Sequence, residues 1–333
     1  KLGLYLSLGG ACITLGPAFG PVISGLMCTL FGWRAVFVVP LVAGIVVAAA
    51  GVKLVQNVGE RSNTTLDILS VVLLAAGITV FVYSVGEFST NLIAGIVALF
   101  AAIVLLGLFA ARQLKLEHPV LNVRPMASVR FWPACLLVVV SMMTTFSMSV
   151  LLPLYFEGAY GMTALVAGLL ILPAIACNAV TSIVGGRVMD ARGAWPLLPV
   201  GFALIAVGQI AISMTAASMN IGVVVALTVV VYAGVGLVLS PSQTAGLETL
   251  PAAEHPHGTA LLNTWNMIAA SFGPSLFIGL LSSSAATAGA AGAATDVAQA
   301  IGFAAAVRVA AVIAVVGFVA SLVYARRESH MSH

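Results

Sequence analysis

Charge is what this sequence has least of. Asp, Glu, Lys and Arg make up 7% of its 333 residues, where a soluble domain carries about 25%. So small a supply cannot cover an aqueous surface, which excludes a water-soluble globular protein. The formal net charge of +3 is also too small to point to nucleic acid, and no nucleic-acid partner is expected. Cysteine is scarce: Cys12, Cys28, Cys135 and Cys177 lie in apolar segments without metal-ligand spacing and read as packing residues. No Ser-His-Asp arrangement, metal spacing or phosphate loop stands out, so the sequence points to no enzyme, metal, cofactor or coupling to ATP. His255 and His257 flank Pro256 and read as a turn beside a helix start rather than a metal site. Nothing reads as a signal peptide, since Lys1 leads straight into an apolar segment and no methionine opens the chain.

What is abundant is apolar sequence, 61% of the chain. A helix needs about 20 mostly apolar residues to cross a bilayer. Ten segments meet this: approximately 3–29, 34–54, 66–87, 91–111, 131–155, 163–185, 195–215, 220–241, 259–282 and 303–324. Barrel strands would be shorter and would alternate in polarity. The expected fold class is therefore an all-α polytopic membrane protein. Basic residues set its orientation. With the first span running outward, Lys1, Lys53, Arg61, Arg112, Lys115, Arg124, Arg130, Arg187, Arg192, Arg326 and Arg327 share one side, leaving Arg34 and Arg308 on the other. That bias places the basic side and the C-terminus in the cytoplasm.

One stretch, "GPAFGPVISG" from Gly16 to Gly25, would be a broken loop in water, because interior prolines remove backbone donors. In a membrane bundle, neighbouring helices or water can re-satisfy the freed carbonyls. Cys12, Gly16, Gly20 and Ser24 then form one row of small residues, and Pro17 and Pro21 lie in the adjacent row. Such a row invites close helix packing.

"GGACITLGPAFGPVISGLM" (Gly9–Met27) resembles the antiporter motif on the fifth helix of drug:proton antiporters of the major facilitator superfamily. "GWRAVFVV" (Gly32–Val39) resembles the turn that follows in the fourteen-span branch, and "PLYFEGAYGMTALVAGLLILP" (Pro153–Pro173) its seventh and eighth helices. "GGRVMDARG" (Gly185–Gly193) is similar to the second copy of the family's G-x-x-x-D-x-x-G loop, and "HGTALLNTWNMIAASFG" (His257–Gly273) to the start of its eleventh helix. The resemblance implies a chain that begins at the fifth helix. Residues 1–54 would close the N-terminal half, 55–112 form a central extra pair, and 113–130 a cytoplasmic linker. Residues 131–325 would be the six-helix C-terminal half and 326–333 a tail. It also implies a monomeric inner-membrane carrier that exports small amphipathic molecules in exchange for protons. An uptake or facilitator permease of the same fold is the alternative, and a catalytic or scaffolding membrane protein a more distant one.

Three groups of residues follow. Gly16, Pro17, Gly20, Pro21 and Gly25 are the helix-packing motif. Gly186, Asp190, Arg192 and Gly193 would be a charge latch in the family's manner, and they equally fit a solvated turn. Glu157, Asn178, Gln209, Asn263 and Asn266 are the cavity or proton-coupling candidates. Glu157 stands where the family more often has glutamine, and Asn263 matches a family asparagine. Membrane-depth carboxylates are the usual proton carriers. Glu87 and Asp67 read instead as charges at the water interface, a reading open for Glu157 as well. Met142, Met143 and Met148 with Phe146 fit either an adaptable surface or core packing.

Overall fold

Uninterrupted apolar runs with few charges leave the backbone one way to satisfy itself in lipid, and helices follow. The computed structural model describes residues 20, 22–54, 67–88, 91–116, 119–129, 131–195, 197–251 and 254–329, with side chains given up to Tyr324. They form α1 (Val22–Phe31), a 3-10 turn (Trp33–Phe37), α2 (Val38–Leu54), α3 (Ile68–Glu87) and α4 (Leu92–Lys115). Then come a 3-10 turn (Arg124–Ala127), α5 (Phe131–Tyr160), α6 (Ala164–Arg192), α7 (Leu197–Thr215), α8 (Ile221–Glu248), α9 (His255–Ala290) and α10 (Thr295–Ser329). Among the described residues there is no strand, and nine helical segments are long and apolar enough to cross a membrane. The protein is thus an all-α multi-pass membrane protein. Of the expected first span, 3–29, most lies outside the described residues, and α1 is its described remainder. Helices α5, α6, α8 and α9 each carry an interior proline, at Pro153, Pro173, Pro241 and Pro274.

α5–α10 pack into one bundle. α8 lies against α5, α6 and α7, while α10 lies against α5, α7 and α9. Glycines set how closely α8 meets each neighbour. A Cβ on Gly234 would sit 2.5 Å from the Gly201 carbonyl of α7, one on Gly236 would collide with Asn178 and Thr181 of α6, and one on Gly246 would lie 3.0 Å from Ala134 of α5. This is close backbone approach of the kind that holds membrane helices together when lipid removes the hydrophobic drive. Large side chains fill the centre, among them Tyr155, Phe202, Phe277 and Phe303, all below 2% exposed. Met142, Met143 and Met148 belong to this core, so they pack rather than form a surface. α3 and α4 form a hairpin against the bundle, with α3 contacting α9.

Three expectations change. Ser282–Gly302 is not a loop: α9 runs on to Ala290 and α10 begins at Thr295. Alanine, the best helix former, carries both helices onward until Gly292 (φ +91°) stops α9. Around Gly292 the amide of Ala293 returns to the Ala288 carbonyl and that of Gly292 to Gly289, a Schellman ending. The 36 residues of α9 reach about 54 Å at 1.5 Å per residue, well past a ~30 Å hydrocarbon core. Asp67 is not a lone interfacial charge but pairs with Arg112. Of the cysteines expected to pack, Cys135 is buried, Cys177 half-buried and Cys28 exposed, while Cys12 lies outside the described residues.

Candidate functional site

The polar residues that gather near mid-depth do so where α6 crosses α8. Asn178 stands halfway along α6 and is 8% exposed. Thr181 and Ser182, three and four positions on, share its face. Ser182 Oγ donates to Asn178 Oδ1 at 3.5 Å and to the Gly236 carbonyl at 3.4 Å, and Thr181 Oγ1 donates to the Cys177 carbonyl at 2.9 Å. The seam forms because Gly236 has no side chain, and one turn earlier in α8 the ring of Tyr232 is 3% exposed. Sequence reasoning found Asn178 and missed Thr181, Ser182, Gly236 and Tyr232. The readable signal was the i, i+3, i+4 spacing of Asn178, Thr181 and Ser182.

The other expected polar residues separate into two environments. Among the described residues, Gln209 of α7 is fully buried with both amide atoms unpartnered, and Asn266 of α9 is 6% exposed with Oδ1 unpartnered. Ser141, Ser147 and Ser242 are also buried without partners for their hydroxyls. An unmet buried polar group costs about 1–3 kcal/mol, which makes these groups candidates to take up water or a ligand. Asn263, by contrast, is exposed, and with Thr259, Met267 and Ser271 it makes an exposed row at every fourth position of α9. Polar residues at membrane depth face a bundle interior or a wet cavity rather than lipid.

Glu157 is exposed on the last turn of α5, beside Gly158, where an added Cβ would stand 3.1 Å from the Gln299 side chain. Nearby, Tyr155 donates to the Ala216 carbonyl at 2.8 Å, meets the Tyr160 hydroxyl at 3.2 Å, and stacks on Phe303 with ring centres 4.2 Å apart. This knot ties the end of α5 to α10 and to the turn after α7.

At the basic end, Asp190 and Arg192 are exposed on the last turn of α6, and neither forms an ion pair among the described residues. Gly193 ends the helix at φ +74°, ψ −173°, a conformation essentially reserved for glycine. Gly186 has open space around it, whereas a Cβ on its neighbour Gly185 would stand 3.3 Å from the Gly236 carbonyl oxygen. His255 Nε2 meets the Leu250 carbonyl at 3.1 Å, a helix-start contact, and no metal-binding cluster occurs among the described residues.

Of the packing motif, Gly16, Pro17 and Pro21 lie outside the described residues. Gly20 has nothing within 4 Å, but a Cβ on Gly25 would stand 2.7 Å from the Ala164 carbonyl oxygen and 2.9 Å from the Leu165 nitrogen. α1 therefore presses backbone to backbone on the first turn of α6. Gly25 continues the row of Pro17 and Pro21, four apart, rather than the row of Gly20 and Ser24.

The sequence profile of the Major Facilitator Superfamily matches residues 1–274. Lincomycin resistance protein LmrB of Listeria monocytogenes is 32% identical over 285 residues, covering 85% of this chain and 60% of that protein. The uncharacterized MFS-type transporter YcnB of Bacillus subtilis is 32% identical over 326 residues, covering 96% of this chain and 68% of that protein. Riboflavin transporter RibZ of Clostridioides difficile is 24% identical over 277 residues, covering 83% and 60%. The chain spans three fifths of the length of LmrB.

Proposed function

The chain belongs to the Major Facilitator Superfamily, and from that membership we propose that it serves a fourteen-span, proton-driven exporter of amphipathic drugs in the cytoplasmic membrane. The observation that carries this reading is the backbone contact of Gly25 on Ala164 and Leu165. It joins α1 to α6 at the end opposite the basic residues, while the Asn178–Ser182 seam and the α9 row of Asn263 lie at depth. In a carrier that rocks two helical units around a midplane cavity, such a contact closes one mouth and leaves the polar faces reachable from the other. The basic end, with Arg326 and Arg327, is assigned to the cytoplasm by the positive-inside rule.

In this reading Asn178, Gln209, Asn263 and Asn266 meet the cargo, Glu157 exchanges the proton, and Asp190 with Arg192 and Gly193 latches the cytoplasmic side. Residues 131–325 belong to one rocking unit of a monomer. Relatives named for lincomycin resistance support export, and one named for riboflavin transport supports the alternative of an uptake permease.

The test is expression of the full-length gene in a host stripped of its own exporters. Cells are loaded with lincomycin, ethidium or riboflavin as probes, with and without a protonophore. Export predicts lower accumulation of at least one probe, restored by the protonophore. Raised accumulation of a probe identifies the uptake permease instead.

A further inference from the structure

Hydrogen bonds lock α4 to α3, and apolar contacts at two depths hold the α3–α4 hairpin to the α5–α10 bundle. At the basic end, Arg112 of α4 donates Nε to Asp67 Oδ2 at 2.6 Å and Nη2 to Asp67 Oδ1 at 3.0 Å. Asp67 stands at the residue before the first turn of α3, and it also accepts from Ser70 Oγ at 2.5 Å. Gln113 Nε2 donates to Ser70 Oγ at 2.6 Å, and Gln113 Oε1 accepts the backbone N–H of Leu121 at 3.0 Å. Ser70 and Gln113 are buried, at 0% and 2% exposure. The chain of hydrogen bonds thus passes from α3 to α4 and on from Gln113 into the segment that leads to α5.

Apolar packing extends it. Leu73 of α3, Phe109 of α4 and Leu121 share one cluster with Phe131 and Val138 of α5 and Leu261 of α9. Further toward the opposite end, Phe81 of α3 stacks on Phe272 of α9 with ring centres 5.6 Å apart and planes 21° apart. α2 stands in contrast, since none of its residues is buried.

Residues 113–130 read from sequence as a linker between two halves. In the structure Gln113, Leu121 and Pro125 of that segment are buried, and it works as a brace. A two-pronged Arg–carboxylate pair fixes geometry as well as distance. Swinging the hairpin away would strip the buried Gln113 Oε1 of the Leu121 amide, which proteins avoid, and would open the apolar cluster that Leu73 and Phe109 share with α5 and α9. We propose that the α3–α4 hairpin and the α5–α10 bundle move as one body, so that the boundary across which the protein changes shape lies between α2 and α3 and not in the segment before α5. This concerns which helices move together, and it is read by distances whether or not any compound is exported.

The test uses the full-length protein in nanodiscs, with native cysteines replaced and spin labels placed at exposed positions. One pair, Val104→Cys on α4 and Val207→Cys on α7, lies within the proposed body. The other, Val46→Cys on α2 and Val207→Cys, spans the boundary. Double electron–electron resonance at acidic and alkaline pH should give one narrow, unmoved distribution for the first pair and a broader or shifted one for the second. Adding Asp67→Asn should broaden the first pair alone. The proposal fails if the first distribution is as broad as the second, if it shifts with pH, or if Asp67→Asn leaves it unchanged. A second pair as narrow and fixed as the first likewise contradicts a boundary between α2 and α3.

Discussion

Gly236 is where adding a single methyl group says most about the α6–α8 seam. In Gly236→Ala the new carbon would lie 2.6 Å from the Asn178 carbonyl oxygen, 2.9 Å from Asn178 Oδ1, and against Thr181 Oγ1. Thr181 can turn aside and the Asn178 amide can swing. The Asn178 carbonyl is main chain and cannot move unless α6 and α8 separate. Overpacking of this kind costs about 1–3 kcal/mol. Alanine offsets part of that through roughly 1 kcal/mol of better helix propensity, so the control is Gly186→Ala on α6, where nothing lies within 4 Å. Both variants gain the same propensity, and their difference isolates the overpacking, about 1–3 kcal/mol, or a few degrees of melting temperature. Thermal unfolding in one detergent, followed by the surviving monodisperse fraction, reads it. If Gly236→Ala melts at or above Gly186→Ala, α6 and α8 do not meet as described.

Gly25→Leu must push α1 off the Ala164–Leu165 backbone, and cells expressing it should lose export far more than they lose protein, measured as probe accumulation against membrane abundance; unchanged export removes Gly25 from the seal. Gly193→Ala places a side chain in a conformation that costs about 1–3 kcal/mol, and the same unfolding assay should show it less stable than Gly186→Ala; equal stability means the end of α6 is not held at φ +74°. The Arg112 guanidinium, with help from Ser70, holds the Asp67 carboxyl down to about 2. A lowered folded-state pKa gives stability that is full above the ordinary carboxylate range and lost as pH falls from there toward 2. Wild type should therefore exceed Asp67→Asn in stability at neutral pH and lose that margin across this acid window, and a margin constant with pH refutes the pairing.

The spans were legible because each is a long apolar run bounded by charge or glycine, and a bilayer allows such a run only one fold. Where the solvent stopped deciding, so did the pattern. Ser282–Gly302 is too polar and too small-sided to be read as a span, yet it is rich in alanine and of its glycines only Gly292 takes a positive φ, so α9 and α10 extend into it from either side. Asp67 and Arg112 are 45 positions apart, and no local spacing brings two residues so distant together. The burial of Gln113 against Ser70, 43 positions away, was equally hidden. Asn178 was visible as a polar residue within an apolar run. Its partner Gly236 was not, because one glycine among many carries no mark of which helix it will face. Proline and glycine at four-residue spacing announced a packing helix, but choosing Gly25 over Gly20 required the position of α6.

The central claim is that a proton gradient drives cargo through a pathway sealed by α1 on α6 and lined by the polar faces of α6 and α9. Everted membrane vesicles carrying the full-length protein test it most directly, with an acidic interior imposed and uptake of the same three probes followed in time. The account predicts uptake that starts with the gradient, collapses on adding a protonophore, and falls sharply in Glu157→Gln. Uptake of a probe that ignores the protonophore and proceeds equally in Glu157→Gln would contradict it.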